Sequence, residues 1–461
     1  MNRRKFIKRS SLATAAIASG VNTPLFSGST GNRMNTHETM SEGGRMSEKN
    51  ARNRAHTRGV GANPVKVGLI GSGWYGLVIA KAALQAGGVE VTAVSDVDSE
   101  HLKSGADELE GLQGTRPRLF KDYRDLLDHP GLEAILIGTP PQWHALQFVD
   151  SCKKGLHVYC EKPLAYDVDE GKAMIAAAKK AGNIVQIGFQ RRQSNAFRKA
   201  KELIEEGTTG KIRQIVAQIH YTPGKTDTTI QDPPASLDWD EWCGPAPKLP
   251  YRPSIAHRSW RLEKEYGNGH LVDWGIHHID IIRTIMGLEA PRAIRATGSL
   301  DVLKGQITTP DTLMATLQFE DCPVVWQHRL WGAGDMDPRF NNGIFFHGDK
   351  GTLFAADERL IWRPSGRNQE EQVMDIPTPD MQERHLAEFI EAVKTKNPGL
   401  VSCTIEDAFL STATVQLAMI AYETNSEVKW DAAEKTIQGN NEAKKLLARP
   451  YRAGYIRPGI D

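Results

Sequence analysis

Three glycines stand where a chain can cradle phosphate: Gly71-Ser72-Gly73-Trp74-Tyr75-Gly76 follows the apolar run Val65–Ile70 and opens a helical pattern. Gly71 permits a tight turn, Gly73 lets backbone approach a pyrophosphate, and Gly76 allows close packing of helix on strand. Amides and dipole at the helix N-terminus then hold the anion. Asp96 lies twenty residues after Gly76, at the end of a second apolar run. A carboxylate there accepts hydrogen bonds from ribose hydroxyls and repels a 2′-phosphate, which selects NAD over NADP.

Two further segments carry chemistry. Lys162, in Cys160-Glu161-Lys162-Pro163-Leu164, falls at the carboxyl end of a predicted strand, the edge where doubly wound sheets bind ligands. Lysine loses its proton readily on burial, so Lys162 can meet a substrate hydroxyl or nicotinamide ribose and share in proton transfer. Asp273 and His277, in Gly267–Asp280, are four residues apart and so are expected on one helix face. A carboxylate beside an imidazole fixes its tautomer and raises its basicity, as a base abstracting a hydroxyl proton requires. By residue type, His270, Asp273 and His277 also fit a metal set, and a structural His/Asp pair is the plain alternative. Hydride transfer to a nicotinamide needs no metal, and none is expected. His278 and Asp280 fall on other faces and read as structural.

The elements that must position these residues follow from the apolar periodicity. Strands at Val65–Ile70, Val89–Val94, Ala134–Ile137, His157–Cys160 and Ile184–Ile187 alternate with helices over Leu77–Ala86, Ser99–Glu108, Trp143–Lys154 and Asp169–Ala181. That alternation predicts a parallel, doubly wound sheet over residues 64–187. After Gly188 come a helix over Ala196–Glu206 and longer strands such as Ile212–His220, Ala293–Gly298, Leu313–Glu320 and Val324–Trp331. Helices are expected near Gly275–Met286, Gln382–Lys394 and Ile405–Glu423, so residues 188–461 read as an α+β domain on a large, mostly antiparallel sheet. Trp326, His328 and Trp331 are expected on one strand face, toward substrate or a partner subunit. Trp239, Trp242, Tyr251, His257, Trp260 and Arg261 precede the Asp273 segment and read equally as pocket wall or loop packing.

The glycine loop, Thr139-Pro140-Pro141 with His144, Glu161-Lys162-Pro163, Gly188-Phe189-Gln190-Arg191-Arg192 and Asp273-x-x-x-His277 together resemble the Gfo/Idh/MocA oxidoreductases from about Pro64 onward. The resemblance implies a Rossmann domain followed by an α/β domain whose open sheet mediates homo-oligomers, dimers or tetramers. It implies oxidation or reduction of a secondary alcohol on a sugar, polyol or glycoside. Carried over, Lys162, Asp273 and His277 form the catalytic trio. Gly71, Ser72, Gly73, Trp74, Tyr75, Gly76, Asp96, Thr139, Pro140, His144, Glu161, Lys162 and Arg191 form the cofactor set, with Arg191 nearer the substrate. One branch of the family hydrolyses glycosides by transient oxidation on a retained NAD; Lys162 counts against its N-acetylgalactosaminide members but not against others that oxidise C3. The alternative function is therefore a glycoside hydrolase or lyase working by C3 oxidation and elimination. A non-catalytic sensor is disfavoured by the intact trio.

Composition sets the outer bounds. The chain has 461 residues with net charge +1 and no basic stripe, so neither nucleic acid nor an anionic membrane is an expected partner. Five scattered cysteines with no C-x-x-C argue against a zinc site or a disulfide framework. Asn2-Arg3-Arg4-Lys5-Phe6-Ile7-Lys8 before the short apolar run Leu12–Val21 reads as a twin-arginine signal over residues 1–26, too short to span a bilayer. Residues 27–63 have almost no large apolar side chains and read as a disordered linker. Export to the periplasm is expected, or a cytoplasmic protein if translation starts at Met34, Met40 or Met46. An exported protein must carry its NAD with it, so the cofactor is expected to be tightly held.

Overall fold

The computed structural model describes residues 63–459 except 225. The twin-arginine segment and all but the last residue of the linker lie outside them.

Six strands form the first sheet: β1 (Val65–Ile70), β2 (Val89–Ser95), β3 (Arg118–Phe120), β4 (Ala134–Ile137), β5 (His157–Glu161) and β6 (Val185–Gly188). All pair in parallel, in the order β3-β2-β1-β4-β5-β6. The order reverses between β1 and β4, and doubly wound sheets bind ligands at such a switch point. Val67, Leu69, Ile135 and Leu136 are buried, as strands covered on both faces must be. Asp98 caps the helix Ser99–Gln113 and Asp167 the helix Val168–Ala181, each accepting backbone N–H bonds; left-handed Gly114 and Gly182 end them. The first helix begins at Trp74, three residues before the predicted start, because Gly73 is its N-cap.

The second sheet has ten strands: β7 (Ile212–His220), β8 (Ala293–Ser299), β9 (Thr312–Gln318), β10 (Pro323–Arg329), β11 (Asn342–Gly348), β12 (Gly351–Ala356), β13 (Arg359–Pro364), β14 (Gln372–Asp375), β15 (Val428–Asp431) and β16 (Thr436–Gln438). Their order is β14-β13-β12-β11-β7-β10-β9-β8-β15-β16. The pairs are antiparallel except β7 with β10. In β9 the side chains of Leu313, Ala315 and Leu317 are buried while Met314 is half exposed, so one face meets the core and the other is open. Helices Ile276–Met286 and Ile405–Glu423 pack together in that core. Trp326 and His328 share the buried face, as expected. Trp331 does not: β10 ends at Arg329, and the Trp331 indole N–H donates to Thr312 Oγ1.

The helix Met381–Thr395 belongs in sequence to the second half but docks on the first. Leu386, Phe389, Ile390 and Val393 share a core with Val65, Val67 and Leu69 of β1. Accordingly, all described residues fall in one compact unit. No helix among them is long and apolar enough to cross a membrane. The five cysteines are buried and unpaired.

Candidate active site

A cavity of about 490 Å³ opens at the switch point of the first sheet. Gly71, Gly73, Trp74, Tyr75, Asp96, Thr139 and Pro140 line one side, and His257, Arg258, Trp260 and Arg261 lie across from them. Two local facts suit it to a dinucleotide. A Cβ on Gly76 would stand 1.7 Å from the Gly71 carbonyl oxygen, so only glycine lets helix and loop meet. A Cβ on Gly73 would meet nothing closer than His101 at 3.5 Å, so that glycine leaves room on the ligand side. The Gly73 N-cap offers no side-chain acceptor, and first-turn amides have no intrahelical partner. Asp96 is anchored from both ends: Oδ2 accepts from the Ser72 amide (2.7 Å) and hydroxyl (3.2 Å), and Oδ1 from the Asp98 amide (2.9 Å). Burial raises its pKa against these bonds.

The opposite wall is the aromatic segment whose role the sequence leaves open. It does both jobs. Trp239 and Trp242 stack at 4.7 Å in a small core with Tyr251 and Tyr266, while Trp242, His257, Trp260 and Arg261 face the cavity. His257 Nε2 lies 3.1 Å from Asp98 Oδ2, and its ring packs on His101 at 4.2 Å. Arg258 lies over the Trp74 ring at 5.0 Å. Asp98, His101 and His257 bring one ligand atom each within 4.8 Å of the others; no local spacing announces this group, because His257 lies 156 positions after His101.

At the cavity's edge Arg261 leads to the corner that holds Lys162 and Asp273. Its Nε lies 3.2 Å from Asp273 Oδ2. Lys162 Nζ donates to Asp273 Oδ1 at 2.9 Å and to the Asp273 carbonyl at 2.8 Å. Burial alone would raise the Asp273 pKa, but Lys162 and Arg261 outweigh it and hold the carboxyl below its usual value. One expectation fails here. Asp273 does not contact His277; it is engaged by two cations instead. Leu271–Gly275 winds as a π-helical turn before the α-helix Ile276–Met286 begins. A π turn closes on i+5 rather than i+4, so the four-residue spacing no longer stacks the side chains. The same ion pairs occupy both Asp273 oxygens, which leaves the metal reading of His270, Asp273 and His277 without its carboxylate. Gly275 allows the turn to reach the sheet: a Cβ there would lie 2.9 Å from Trp326.

His277 packs edge-on against Phe189 and Trp274, and its Nδ1 has no partner. Burial, then the charges of Lys162 and Arg191, push its pKa far below the ordinary imidazole value. His278 Nε2 bonds Asn342 Oδ1 (2.8 Å), and Asp280 pairs with Arg192 and Ser411.

Several residues of the expected cofactor set support the cavity from behind. Ser72 is buried under Asp96. The two ring nitrogens of His144 lie 2.8 Å from the Thr139 and Pro163 carbonyls, which ties the two loops together. Glu161 is buried, accepting from the Tyr159 hydroxyl and the Lys162 amide; desolvation lifts its pKa to about 7. Lys162 belongs to the Asp273 corner. Arg191 pairs with Asp357 (3.3 Å) and lies over Trp274 at 5.3 Å, on the His277 side.

Fold and cleft define a dinucleotide-binding protein with a buried Lys162–Asp273–Arg261 ion-pair corner at the cleft's edge. Residues 65–189 match the oxidoreductase family's NAD-binding Rossmann fold, and residues 216–457 its C-terminal alpha/beta domain. The chain belongs to the Gfo/Idh/MocA oxidoreductase family, and NAD is the cofactor of its Rossmann fold. It is 28% identical over 259 residues to an uncharacterised oxidoreductase of Bacillus subtilis, covering 56% of this chain and 64% of that one, just under two thirds of the relative's length. It is 28% identical to the myo-inositol 2-dehydrogenase of Thermotoga maritima, over 64% of this chain and 76% of the relative. A levoglucosan dehydrogenase solved with NADH and levoglucosan shares the fold, with a TM-score of 0.62 at 20% identity, covering 79% of this chain and 99% of that one.

Proposed function

We propose that the protein uses NAD to oxidise or reduce a secondary alcohol of a neutral sugar, polyol or glycoside. The carrying observation is the chain of contacts from the cavity to the corner: Arg261 lines the cleft, holds Asp273 at 3.2 Å, and Asp273 holds Lys162 at 2.9 Å. Bound NAD supplies the hydride acceptor. His277, neutral because burial and neighbouring cations disfavour its charged form, takes the hydroxyl proton at a ring nitrogen. Lys162, held in place by Asp273, donates to the developing alkoxide or carbonyl oxygen. Asp273 balances the two cations so that the pocket can admit a neutral substrate. Similarity to inositol and levoglucosan dehydrogenases supports the substrate class. Mixing the protein and NAD with myo-inositol, levoglucosan, D-glucose and methyl β-D-glucoside tests the reading: NADH forms with at least one, and its failure to form with any of them, together with failure to oxidise NADH on the matching ketones, sinks it.

A second reading is favoured by the wall over the cleft. Residues 256–261 line the cofactor cavity, and Arg258 and Arg261 lie over the Trp74 ring of the glycine loop, which suits a cofactor that stays bound. A retained NAD must be restored in each cycle. Oxidation at C3 acidifies the C2 proton, a base removes it and elimination expels the glycosidic oxygen; re-reduction of C3 then closes a lyase cycle, and addition of water at C1 before that re-reduction closes a hydrolase cycle. Release of nitrophenol from a nitrophenyl glycoside without net NADH distinguishes this cycle from simple dehydrogenation. Twin-arginine export to the periplasm accords with retention, and the open face of the ten-stranded sheet, with half-exposed Met314 and Val373, suits a homo-oligomer. Native mass spectrometry reads bound NAD, leader removal and subunit number together.

A further inference from the structure

The buried face of β7 and β10 carries a polar cluster beside Asp273 that the catalytic trio does not use. Part of it is closed on itself. The Trp326 indole N–H donates to His328 Nδ1 (3.1 Å), so His328 carries its proton on Nε2 and donates it to the Pro310 carbonyl (3.1 Å). Both His328 nitrogens are thereby engaged, and the ring is locked. His270 stands edge-on against it with ring centres 5.0 Å apart, and lies tilted against Tyr221 at 4.9 Å. His270 is only 1% exposed, yet neither ring nitrogen has a hydrogen-bond partner. The Ile219 carbonyl bears on the ring's charge but completes no bond.

Native interiors seldom leave such a group without a partner. His270 is also well placed. It precedes Asp273 by three residues in the same turn, and Asp273 and Arg261 act electrostatically on the Tyr221 hydroxyl. A neutral imidazole offers one donor and one acceptor, and a phenol does the same. Together they complement a hydroxyl, which also donates and accepts. Burial keeps His270 in that neutral form.

We infer that His270 and Tyr221 form a hydroxyl-binding subsite beside the catalytic corner, which holds a second hydroxyl of the substrate and so decides which sugar or polyol is accepted. This rests on the alcohol-oxidoreductase reading above. It makes His270 and Tyr221 specificity residues, separate from the proton transfer at His277.

The test uses the NAD-loaded protein, the best substrate of the panel above, and that substrate's single-deoxy analogues, with His270→Leu, His270→Gln and Tyr221→Phe. Wild type is expected to disfavour one deoxy analogue by roughly 10- to 10²-fold in kcat/KM, because the buried pair is then left without its hydrogen-bond partner. His270→Leu loses activity on the parent substrate mainly through KM and treats that analogue and the parent within about threefold of one another. His270→Gln, which still donates and accepts, recovers part of the preference. NADH binding is unchanged in all three. If the variants lose the same factor on the parent and on every analogue, the pair is structural and the inference falls while the alcohol-oxidoreductase reading stands. If wild type turns over none of the panel, that reading falls and takes this one with it. If His270→Leu fails to bind NADH, Tyr221→Phe, which removes one oxygen atom, decides by the same comparison.

Discussion

The cofactor cleft and the catalytic corner meet at Arg261, but they are built in opposite ways. The cleft is local. Gly71 to Gly76 and Asp96 lie within one strand-helix-strand unit, and the carboxylate is already held: Ser72 donates to Asp96, and Asp98 closes the other carboxylate oxygen, which leaves the first-turn amides for the ligand. The corner is assembled from afar. Lys162 comes from the end of β5, Asp273 from a π turn 111 residues later, and Arg261 from the segment between. It also carries surplus polar capacity, because His277 Nδ1, both His270 nitrogens and Arg191 Nη1 are buried without partners. A binding cradle can be complete before its ligand arrives, whereas a reacting pocket keeps bonds in reserve for what it will turn over.

The largest expected effect separates the two regions outright. His277→Ala should lower kcat about 10³-fold and leave NADH affinity, read by fluorescence titration, unchanged; near-normal turnover would remove His277 from the chemistry. Within the cleft, Gly76→Ala should abolish measurable NADH binding and lower Tm, since its Cβ would collide with the Gly71 carbonyl. Gly73→Ala should keep the wild-type Tm, its Cβ meeting only His101 at 3.5 Å, while weakening NADH about tenfold, or ~1.4 kcal/mol. Equal thermal losses for the two would erase the distinction between packing glycine and ligand glycine. A smaller effect joins the regions. The His277 pKa is depressed, so kcat/KM should stay level as pH falls through 6.5 and drop only in more acid solution. Lys162→Met removes a charge that depresses it, and should move that acid limb to higher pH along with lowering kcat. The smallest concerns Glu161. Its pKa is lifted by burial from the ordinary 4.5 to about 7, so folding favours its protonated form. That stability is fully present below about pH 4.5 and lost as pH rises through 7. Glu161→Gln should flatten this part of the Tm-versus-pH curve, and an unchanged slope would place the titration elsewhere.

The cleft was legible because its rules are short-ranged. A glycine at positive φ, 87° at Gly71, an N-cap and an acid at the end of the next strand leave marks at fixed spacings. Five of the six strands of the first sheet, four of the ten of the second and most helices were legible for the same reason, with ends within a few residues. The corner was legible as a set of residue types but not as a geometry. The four-residue step from Asp273 to His277 reads as a helical face, and the π turn cancels it. Trp331 follows His328 by three residues, a step that leaves the two-residue alternation, and β10 stops at Arg329 before reaching it. His101, Lys121 and Trp143 line the cavity without any local pattern to announce them.

The amino-acid sequence by itself determined a Rossmann domain with a preference for NAD, a second domain on a mostly antiparallel sheet, and Lys162, Asp273 and His277 as the groups to watch. These depend on periodicity, turn chemistry and charge, all of which act over a few residues. Tertiary structure alone decided that Asp273 answers Lys162 and Arg261 rather than His277, that the His257–Arg261 segment walls the cofactor cleft, and that His270 stands buried with its bonds unmade. Those outcomes depend on which distant side chains share a low-dielectric space, where an ion pair or an unpaired nitrogen weighs far more than in water.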